Sequence, residues 1–262
     1  MVAALRAGVI GGGGWLGGAI VGAMLDSKLT SPDALTLSYR RTTPTRFSGV
    51  QWVRDNQELV DRSEVIIVSI RPADWPFLRV NARGKLVISV MAGITLDALA
   101  EQLDTNRVIR ALPNALAEVR KSYTPWIGSA HLTDRDRSVT RDIFDACGTT
   151  DEMTSEADID YFTGLSGSGP AFPALLAAAM IRDAVAHGID PEIARRAVTT
   201  VLIGAGRLLE VNGESPTATV EAFVGYGGTT AAAIEAMRAA NFERAISEGL
   251  SAAHRKAVGM GE

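Results

Sequence analysis

The chain has 262 residues, 47% of them hydrophobic, which is enough for one large globular domain or two modest ones with proper cores. Its 26 basic and 30 acidic residues give a net charge of −4, which excludes the strongly basic surface that binds nucleic acid or an anionic membrane. The single cysteine, Cys147, excludes a disulfide framework and a thiolate zinc site, and it fits a reducing cytoplasm, where we expect the protein to lie.

Two further classes of protein are disfavoured. No segment approaches the roughly 20 consecutive apolar residues that span a bilayer, so we expect no membrane partner. The apolar N-terminus lacks the basic region of a signal peptide and is predicted to form a first strand. No cluster of metal-ligating side chains is apparent in the sequence, and no metal is expected.

Short apolar runs in residues 1–155 predict buried strands. After the N-terminal run they lie at 34–39, 50–53, 64–70, 85–90 and 107–111. Helix patterns fall between them at 15–27, 56–63 and 95–103, and Thr95 is a candidate N-cap for the last. Strands that alternate with helices predict an α/β domain with a doubly wound, mostly parallel sheet. Such sheets bind ligands at the carboxyl ends of their strands.

Residues 156–262 carry a wholly helical pattern. Proline or a glycine cluster precedes each predicted long helix and glycine ends it, and these helices lie at 170–188, 190–213 and 229–259. The stretches 172–181 and 197–206 have so few charges that they are unsuited to face water. We therefore predict that two chains bury these helices against each other in a homodimer, or in a higher oligomer built from it.

The first strand runs into a glycine-rich turn, GVIGGGGWLGGAI, at residues 8–20. Only Gly12, Gly14 and Gly17 satisfy the GxGxxG spacing of dinucleotide-binding turns between a strand and a helix. We expect Gly12 to permit the tight turn, Gly14 to admit a pyrophosphate, and Gly17 to let helix and strand pack closely. The unpaired N–H groups at the start of the following helix would bind that anion.

The residues after the second strand predict which dinucleotide binds. A site for NADH usually ends this strand with Asp or Glu, whereas here Ser38 and Tyr39 are followed by Arg40 and Arg41. Guanidinium groups attract the 2′-phosphate that a carboxylate would repel. We therefore predict NADPH as cofactor, with NADH as the alternative, and include Ser38, Arg40 and Arg41 in its site.

Two patches rich in glycine and hydroxyl groups precede helices in the C-terminal half. One spans residues 163–171 and contains Thr163 and Ser166, and the other spans residues 225–230. Each patch could direct unpaired N–H groups and hydroxyls at an anion. We expect that anion to be a carboxylate.

Several segments combine into a longer pattern. They are IGGGGWLGGAI in the glycine turn, SYRRT after the second strand, VSIRPAD (68–74), ISVMAGI (88–94), RALPNA (110–115), Glu156 and Asp160 before TGLSGSGPAF (163–172), and GGTTAAAIEAM (227–237). This pattern resembles the pyrroline-5-carboxylate reductase family. The resemblance implies an N-terminal Rossmann domain, a C-terminal helical dimerisation domain, and reduction of the cyclic imine pyrroline-5-carboxylate to proline by NADPH or NADH.

The resemblance also implies roles for individual residues. The set implied to line the cofactor, mainly at its nicotinamide end, is Trp15, Leu16, Ile70, Arg71, Pro72, Ala92, Gly93, Pro113 and Asn114. Thr163, the implied catalytic residue, would interact with the substrate nitrogen, in the same segment as Ser166. The loop that would hold the substrate carboxylate, contributed by the partner subunit, consists of Tyr226, Gly227, Gly228, Thr229 and Thr230.

Two alternatives stay open at this point, and a third is disfavoured. The chain departs from the family pattern at Trp15, Tyr161 and Tyr226, and these changes leave room for a six-membered, piperideine-type imine acid as substrate. They are also compatible with an NADPH-binding sensor or scaffold without catalysis. A β-hydroxyacid dehydrogenase is disfavoured, because it needs a lysine in the helical half and only Lys256, close to the end, is available there.

Overall fold

The computed structural model describes residues 5–40, 44–213 and 215–259. Within these ranges the chain forms two compact units, one made of Met1–Ser168 with Ala252–Glu262 and the other of Gly169–Ser251. The first unit contains the sheet, and the described part of the second contains helices. The domain bounds 1–155 and 156–262 remain predictions.

The sheet has eight strands in the order β3-β2-β1-β4-β5-β6-β7-β8. The strands are β1 (Ala7–Ile10), β2 (Leu35–Ser38), β3 (Gln51–Val53), β4 (Val65–Val68), β5 (Leu86–Ser89), β6 (Val108–Ala111), β7 (Ser122–Gly128) and β8 (Gly148–Glu152). Every neighbouring pair is parallel except β6 with β7. The predicted doubly wound sheet is therefore confirmed, and so are the strands predicted along the first 111 residues.

Helices alternate with the strands of the first unit: α1 (Trp15–Asp26), α2 (Asn56–Arg62), α3 (Leu96–Leu103), α4 (Asp134–Asp145) and α5 (Glu156–Phe162). Side-chain caps fix several of their starts, because a helix leaves its first N–H groups without intrahelical acceptors. The Thr95 side chain accepts a hydrogen bond from the Ala98 N–H at the start of α3, as predicted. Thr133 forms a capping box with Asp136 at the start of α4.

Two hydrophobic clusters cover the two faces of the sheet. Side chains of consecutive strand residues point to opposite faces, so Val9 lies in one cluster and Ile10 in the other. Ile20 of α1 belongs to the first cluster and Leu59 of α2 to the second. Cys147 is buried in the first cluster, where loss of hydration raises its pKa to about 11, so its thiol is a core group and not a nucleophile.

The sequence missed two strands and two helices of this unit, namely β7, β8, α4 and α5. Strand β8 reads GTTDE, and β7 contains Pro125, so neither gives the continuous apolar run of a central strand. Helix α4 reads DRDRSVTRDIFD, which is so polar overall that its narrow apolar face escaped notice.

The second half contains α6 (Ala171–Ala186), α7 (Pro191–Asn212), α8 (Pro216–Tyr226), α9 (Gly228–Ala239) and α10 (Phe242–Val258). Helix α8 was not predicted, and the helix predicted at 229–259 is two helices. The break between them falls at Asn241, which has a φ of 62°. This left-handed conformation ends α9, and asparagine tolerates it better than most residues do.

Large apolar side chains of α6 and α7 remain uncovered within one chain. Leu175, Val201 and Ile203 are 68%, 57% and 63% exposed. The helical run Glu156–Ala186 is long and apolar enough to cross a membrane by length and composition, and 6% of its apolar window is buried in the chain. The expectation that no segment reaches this length is therefore wrong, and the exposed apolar side chains of α6 form a candidate interaction surface.

A buried ion cluster attaches α5 to the sheet. Arg110 of β6 is 2% exposed at its side chain, and its guanidinium donates to Glu156 Oε1 at 3.1 Å and to Asp160 Oδ1 at 2.5 Å. Glu156 Oε1 also accepts a hydrogen bond from the Leu96 N–H at 3.0 Å. One buried cation thus fixes both ends of α5 and the start of α3. Losing Asp160 would leave the buried Nη2 of Arg110 without its acceptor.

We predict that Asp160→Ala lowers the free energy of unfolding by about 2–3 kcal/mol, somewhat below the loss for a fully buried pair because Asp160 is partly exposed. Chemical denaturation of both proteins measures this difference. Glu58→Ala is the matched control, since it breaks an exposed ion pair with Arg62. Equal effects of the two substitutions would contradict a structural role for the cluster.

Candidate functional site

The order of the strands creates a crevice at the carboxyl edge of the sheet. From β1 the chain passes through α1 to β2 on one side, whereas β4 lies on the other side of β1. Ligands of doubly wound sheets bind at this kind of switch point, because the loops that leave the two neighbouring strands diverge. The site is therefore built by the loops after β1, β2 and β4.

The turn after β1 has its left-handed residue at Gly11, with a φ of 85°. A Cβ atom at Gly11 would lie 2.2 Å from the Ser69 carbonyl oxygen, so no side chain fits there. The prediction that Gly12 permits the tight turn is therefore corrected to Gly11. Gly12 is buried against Leu37, and a Cβ atom at Gly17 would lie 2.6 Å from the Gly11 carbonyl oxygen.

The amino terminus of α1 faces this turn without a side-chain cap. Its N-cap is Gly14, which has an extended backbone and makes no side-chain hydrogen bond. The N–H groups of the first helical turn, which starts at Trp15, have no intrahelical acceptors and carry a partial positive charge. This is the arrangement in which helix termini bind phosphate groups.

A groove of about 1080 Å³ opens at the same place. The residues predicted to bind cofactor that line it are Gly14, Ser38, Arg40, Ile70 and Arg71. The lining residues that the sequence did not assign to a cofactor are Ile10, Gly11, Gly13, Tyr39, Pro44, Arg54, Asn56, Ser69, Asp74, Phe77 and Leu78. Its volume is large enough for a sizeable small-molecule ligand. The glycine backbone and arginine side chains in its lining suit a ligand that carries phosphates.

Arginines and one carboxylate form the polar wall of the groove. Arg40 pairs with Asp74 at 2.9 Å, and Arg71 pairs with the same carboxylate at 3.0 Å. Hydrogen bonds from Arg71 and then Arg40 hold the pKa of Asp74 below its usual value. Arg54 lies over the Tyr39 ring at 5.9 Å from its centre and donates to the Arg40 carbonyl oxygen. Arg41 lies outside the described residues.

Several other predicted cofactor residues lie outside the lining of this groove: Gly12, Trp15, Leu16, Gly17, Pro72, Ala92, Gly93, Pro113 and Asn114. Their contacts with a cofactor remain predictions. Trp15 is 61% exposed, and its indole N–H donates to Glu118 at 2.9 Å. Gly93 has a φ of 76°, which is the left-handed conformation that glycine favours.

Asn114 joins the loop after β6 to the first hydroxyl-rich patch. Its amide Nδ2 donates to the Ser166 carbonyl oxygen at 3.0 Å, while its Oδ1 accepts from the Leu116 N–H at 2.9 Å. The residues Thr163–Gly167 form a turn of π-helix, an irregularity that is frequent at functional sites. The Thr163 hydroxyl donates to the Ile159 carbonyl oxygen at 2.9 Å and is partly exposed.

The second patch lies in the other compact unit, at the start of α9. Gly227 and Gly228 have φ values of 81° and 76°, so both need the freedom of glycine. Thr229 and Thr230 lie in the first turn of α9, which has no side-chain cap. Tyr226, the last residue of α8, is 92% exposed. Unpaired N–H groups and hydroxyls at this helix start form a surface suited to a carboxylate.

Among the residues that the structure describes, no group of three or more His, Cys, Asp and Glu side chains is placed to hold a metal ion.

Two family models match the chain. Residues 6–93 match the family described as NADP oxidoreductase coenzyme F420-dependent, and this range contains β1 to β5 and the groove. Residues 156–260 match the family described as pyrroline-5-carboxylate reductase dimerisation, and this range contains the uncovered helix α6. The dimerisation match supports self-association of the chain.

Similar proteins and structures agree with these matches. The pyrroline-5-carboxylate reductase of Synechocystis is 28% identical, with 98% of this chain and 99% of that protein covered. The protein of the same name from Thermus thermophilus is 32% identical, with 76% and 77% covered. A crystal structure of Plasmodium falciparum pyrroline carboxylate reductase with NADP bound has a TM-score of 0.84 at 22% identity, with 98% of each chain covered.

We predict that Gly11→Ala destabilises the fold by about 2 kcal/mol or more, since left-handed strain and a backbone clash add together. The substitution should also abolish dinucleotide binding, because the turn would move away from Ser69. Thermal unfolding and fluorescence titration with NADPH measure the two effects. Gly249→Ala in α10 is the matched control, since a Cβ atom there meets open space. Normal NADPH affinity in Gly11→Ala would refute the assigned role.

Proposed function

The chain belongs to the pyrroline-5-carboxylate reductase family, and we propose that it reduces 1-pyrroline-5-carboxylate to L-proline with NADPH as the hydride donor. The observation that carries the proposal is the Thr163 hydroxyl, which lies in the π-turn with its proton directed to the Ile159 carbonyl oxygen. Its lone pairs are thereby left to accept a hydrogen bond from a protonated imine nitrogen.

Reduction of a cyclic imine needs little acid catalysis from the protein. Protonation makes the imine an electrophilic iminium ion, and bound NADPH supplies a hydride to its carbon. The electron pair of the C=N bond returns to nitrogen, which keeps its proton in the product amine. Thr163 would orient the iminium N–H and hold the acceptor carbon in position for the hydride, so that most of the rate would come from positioning.

The start of α9, contributed by the partner subunit, is proposed to bind the substrate carboxylate. Gly227 and Gly228 adopt left-handed conformations that leave the N–H groups of the first turn exposed. Thr229 and Thr230 add hydroxyl donors beside them. A carboxylate bound at this terminus would be stabilised by the helix dipole and by hydrogen bonds that carry charge, while Tyr226 would border the ring.

The groove of the first unit is proposed to bind NADPH. The uncapped start of α1 would hold the pyrophosphate, and Arg40 with Arg54 would face the 2′-phosphate. The related Plasmodium falciparum protein is known with NADP bound, which agrees with this cofactor. NADH would fill the same groove without using the charge of these arginines.

We further propose that the protein acts as a cytoplasmic homodimer. Its dimerisation region contains the exposed apolar side chains Leu175, Val201 and Ile203, which a second copy would bury. Apolar helix faces of this kind are stable in water only when they are covered.

We expect purified protein to oxidise NADPH in the presence of 1-pyrroline-5-carboxylate and to release proline. The reason is that the proposed site combines a groove that binds NADPH, the hydride donor, with a hydroxyl that binds the imine nitrogen. Loss of nicotinamide absorbance and chromatography of the product measure the reaction. The six-membered piperideine analogue is the comparison substrate. Faster turnover of that analogue would reassign the substrate, and NADPH binding without oxidation by either imine would favour a sensor.

Replacing Thr163 with valine should lower kcat/KM for the imine by about 10- to 100-fold, the cost of losing a hydrogen bond to a charged group. The dissociation constant of NADPH should stay unchanged, because the groove is untouched. Thr163→Ser is the control that keeps the hydroxyl and should retain most of the activity. Full activity in Thr163→Val, with an unaltered melting temperature, would exclude this residue from catalysis.

A further inference from the structure

We propose that Asp74 limits the preference for NADPH over NADH by competing with the 2′-phosphate for Arg40. This inference rests on the proposed function, in that it assumes a nicotinamide dinucleotide in the groove, and it adds a residue that sets cofactor specificity. The expectation from the sequence is that the arginines after β2 favour NADPH over NADH. The proposed role of Asp74 is to reduce that preference.

The geometry shows that Asp74 occupies the hydrogen-bonding fork of Arg40. Arg40 Nη2 lies 2.9 Å from Asp74 Oδ2, and Arg40 Nη1 donates to Oδ1 at 3.2 Å. Such bidentate pairing uses the same planar donors that bind a phosphate. Arg40 therefore has to release Asp74 before it can hold a 2′-phosphate in this way.

A second arginine keeps the carboxylate in place. Arg71 Nε donates to Asp74 Oδ2 at 3.0 Å, and Arg71 Nη2 donates to Oδ1 at 3.3 Å. Asp74 is 17% exposed at its side chain, whereas Arg40 and Arg71 are 65% and 78% exposed. The carboxylate is thus the fixed member of the group, and it stays beside Arg40 even when the Arg40 side chain moves.

Charge makes the competition unequal for the two cofactors. The charged side chains of the described groove lining are Arg40, Arg54, Arg71 and Asp74. Asp74 removes part of this positive potential, since an aspartate is ionised at neutral pH and the arginine partners of Asp74 lower its pKa further. A phosphate bound at Arg40 would feel the nearby carboxylate as a repulsive charge. The neutral 2′-hydroxyl of NADH would not be repelled in this way. Asp74 therefore weakens the binding of NADPH and leaves the binding of NADH almost unchanged.

The test compares the affinities of NADPH and NADH for the full-length protein and for Asp74→Asn, by fluorescence titration without imine at one fixed ionic strength. The asparagine keeps the shape of the side chain and removes its charge. We expect the dissociation constant of NADPH to fall at least about fivefold, the size of a strong exposed charge interaction. The dissociation constant of NADH should change less than about twofold on the same argument. Retained NADH binding also reports that the variant is folded.

Two further variants show whether the effect passes through Arg40. Asp104→Asn is the matched control, because Asp104 pairs with Arg83 at the end of α3 and does not line the groove. This control should leave both affinities unchanged. In the Arg40→Gln background, Asp74→Asn should give a markedly smaller gain for NADPH, since coupled residues do not act additively.

Three results would overturn the proposal. An unchanged ratio of the two affinities in Asp74→Asn would show that the carboxylate does not compete. Weaker NADH binding would show that Asp74 instead accepts a hydrogen bond from the ribose, and an equal NADPH gain in the Arg40→Gln background would exclude Arg40. Imine turnover is a separate readout: an inactive protein whose Asp74→Asn variant gains NADPH affinity would contradict the proposed function and support this inference.

Discussion

The close approach of the turn after β1 to the loop after β4 is the constraint on which the groove depends. These strands pair in parallel with Ile10 opposite Val68, so both chains leave the sheet at the same level. The Ser69 N–H then donates to the Ile10 carbonyl oxygen at 2.9 Å, and the Ser69 carbonyl closes against Gly11. With no side chain between them, the loops diverge only beyond this contact. The space they enclose faces the uncapped start of α1, where an anion is stabilised.

A second set of contacts fixes the hydroxyl-rich segment to the same edge of the sheet. Arg110 binds the Glu156 and Asp160 carboxylates of α5, and the Asn114 amide donates to the Ser166 carbonyl oxygen in the π-turn. These polar groups come from the end of β6 and the loop after it, so the position of Thr163 is tied to the sheet and not to a mobile loop. Catalysis that depends on positioning needs such rigid support, because small displacements of the reacting atoms lower the rate strongly.

The sequence predicted the parts of this site that follow from local patterns. The apolar runs at 64–70 and 85–90 identify buried parallel strands, and the edge where such strands end predicts where a ligand binds. The sequence did not predict the features of the site that depend on contacts between residues far apart in the chain. Gly11 and Gly12 are indistinguishable by residue type, and only the position of Ser69 shows which one must be glycine. Asp74 is visible in VSIRPAD, but its pairing with Arg40 brings together the ends of different strands.

Contacts at its two ends, Gly11 and Trp15, hold the glycine-rich turn in place. Consecutive glycines lose more conformational entropy on folding than other residues, so a turn that contains Gly11 to Gly14 is ordered only when its ends are fixed. Gly11 is held by the loop after β4, and Trp15 by its hydrogen bond to Glu118. From the same segment, Arg120 pairs with Asp26 at the other end of α1. The segment after β6 thus contacts both ends of α1, and these contacts help to hold the start of the helix at the groove.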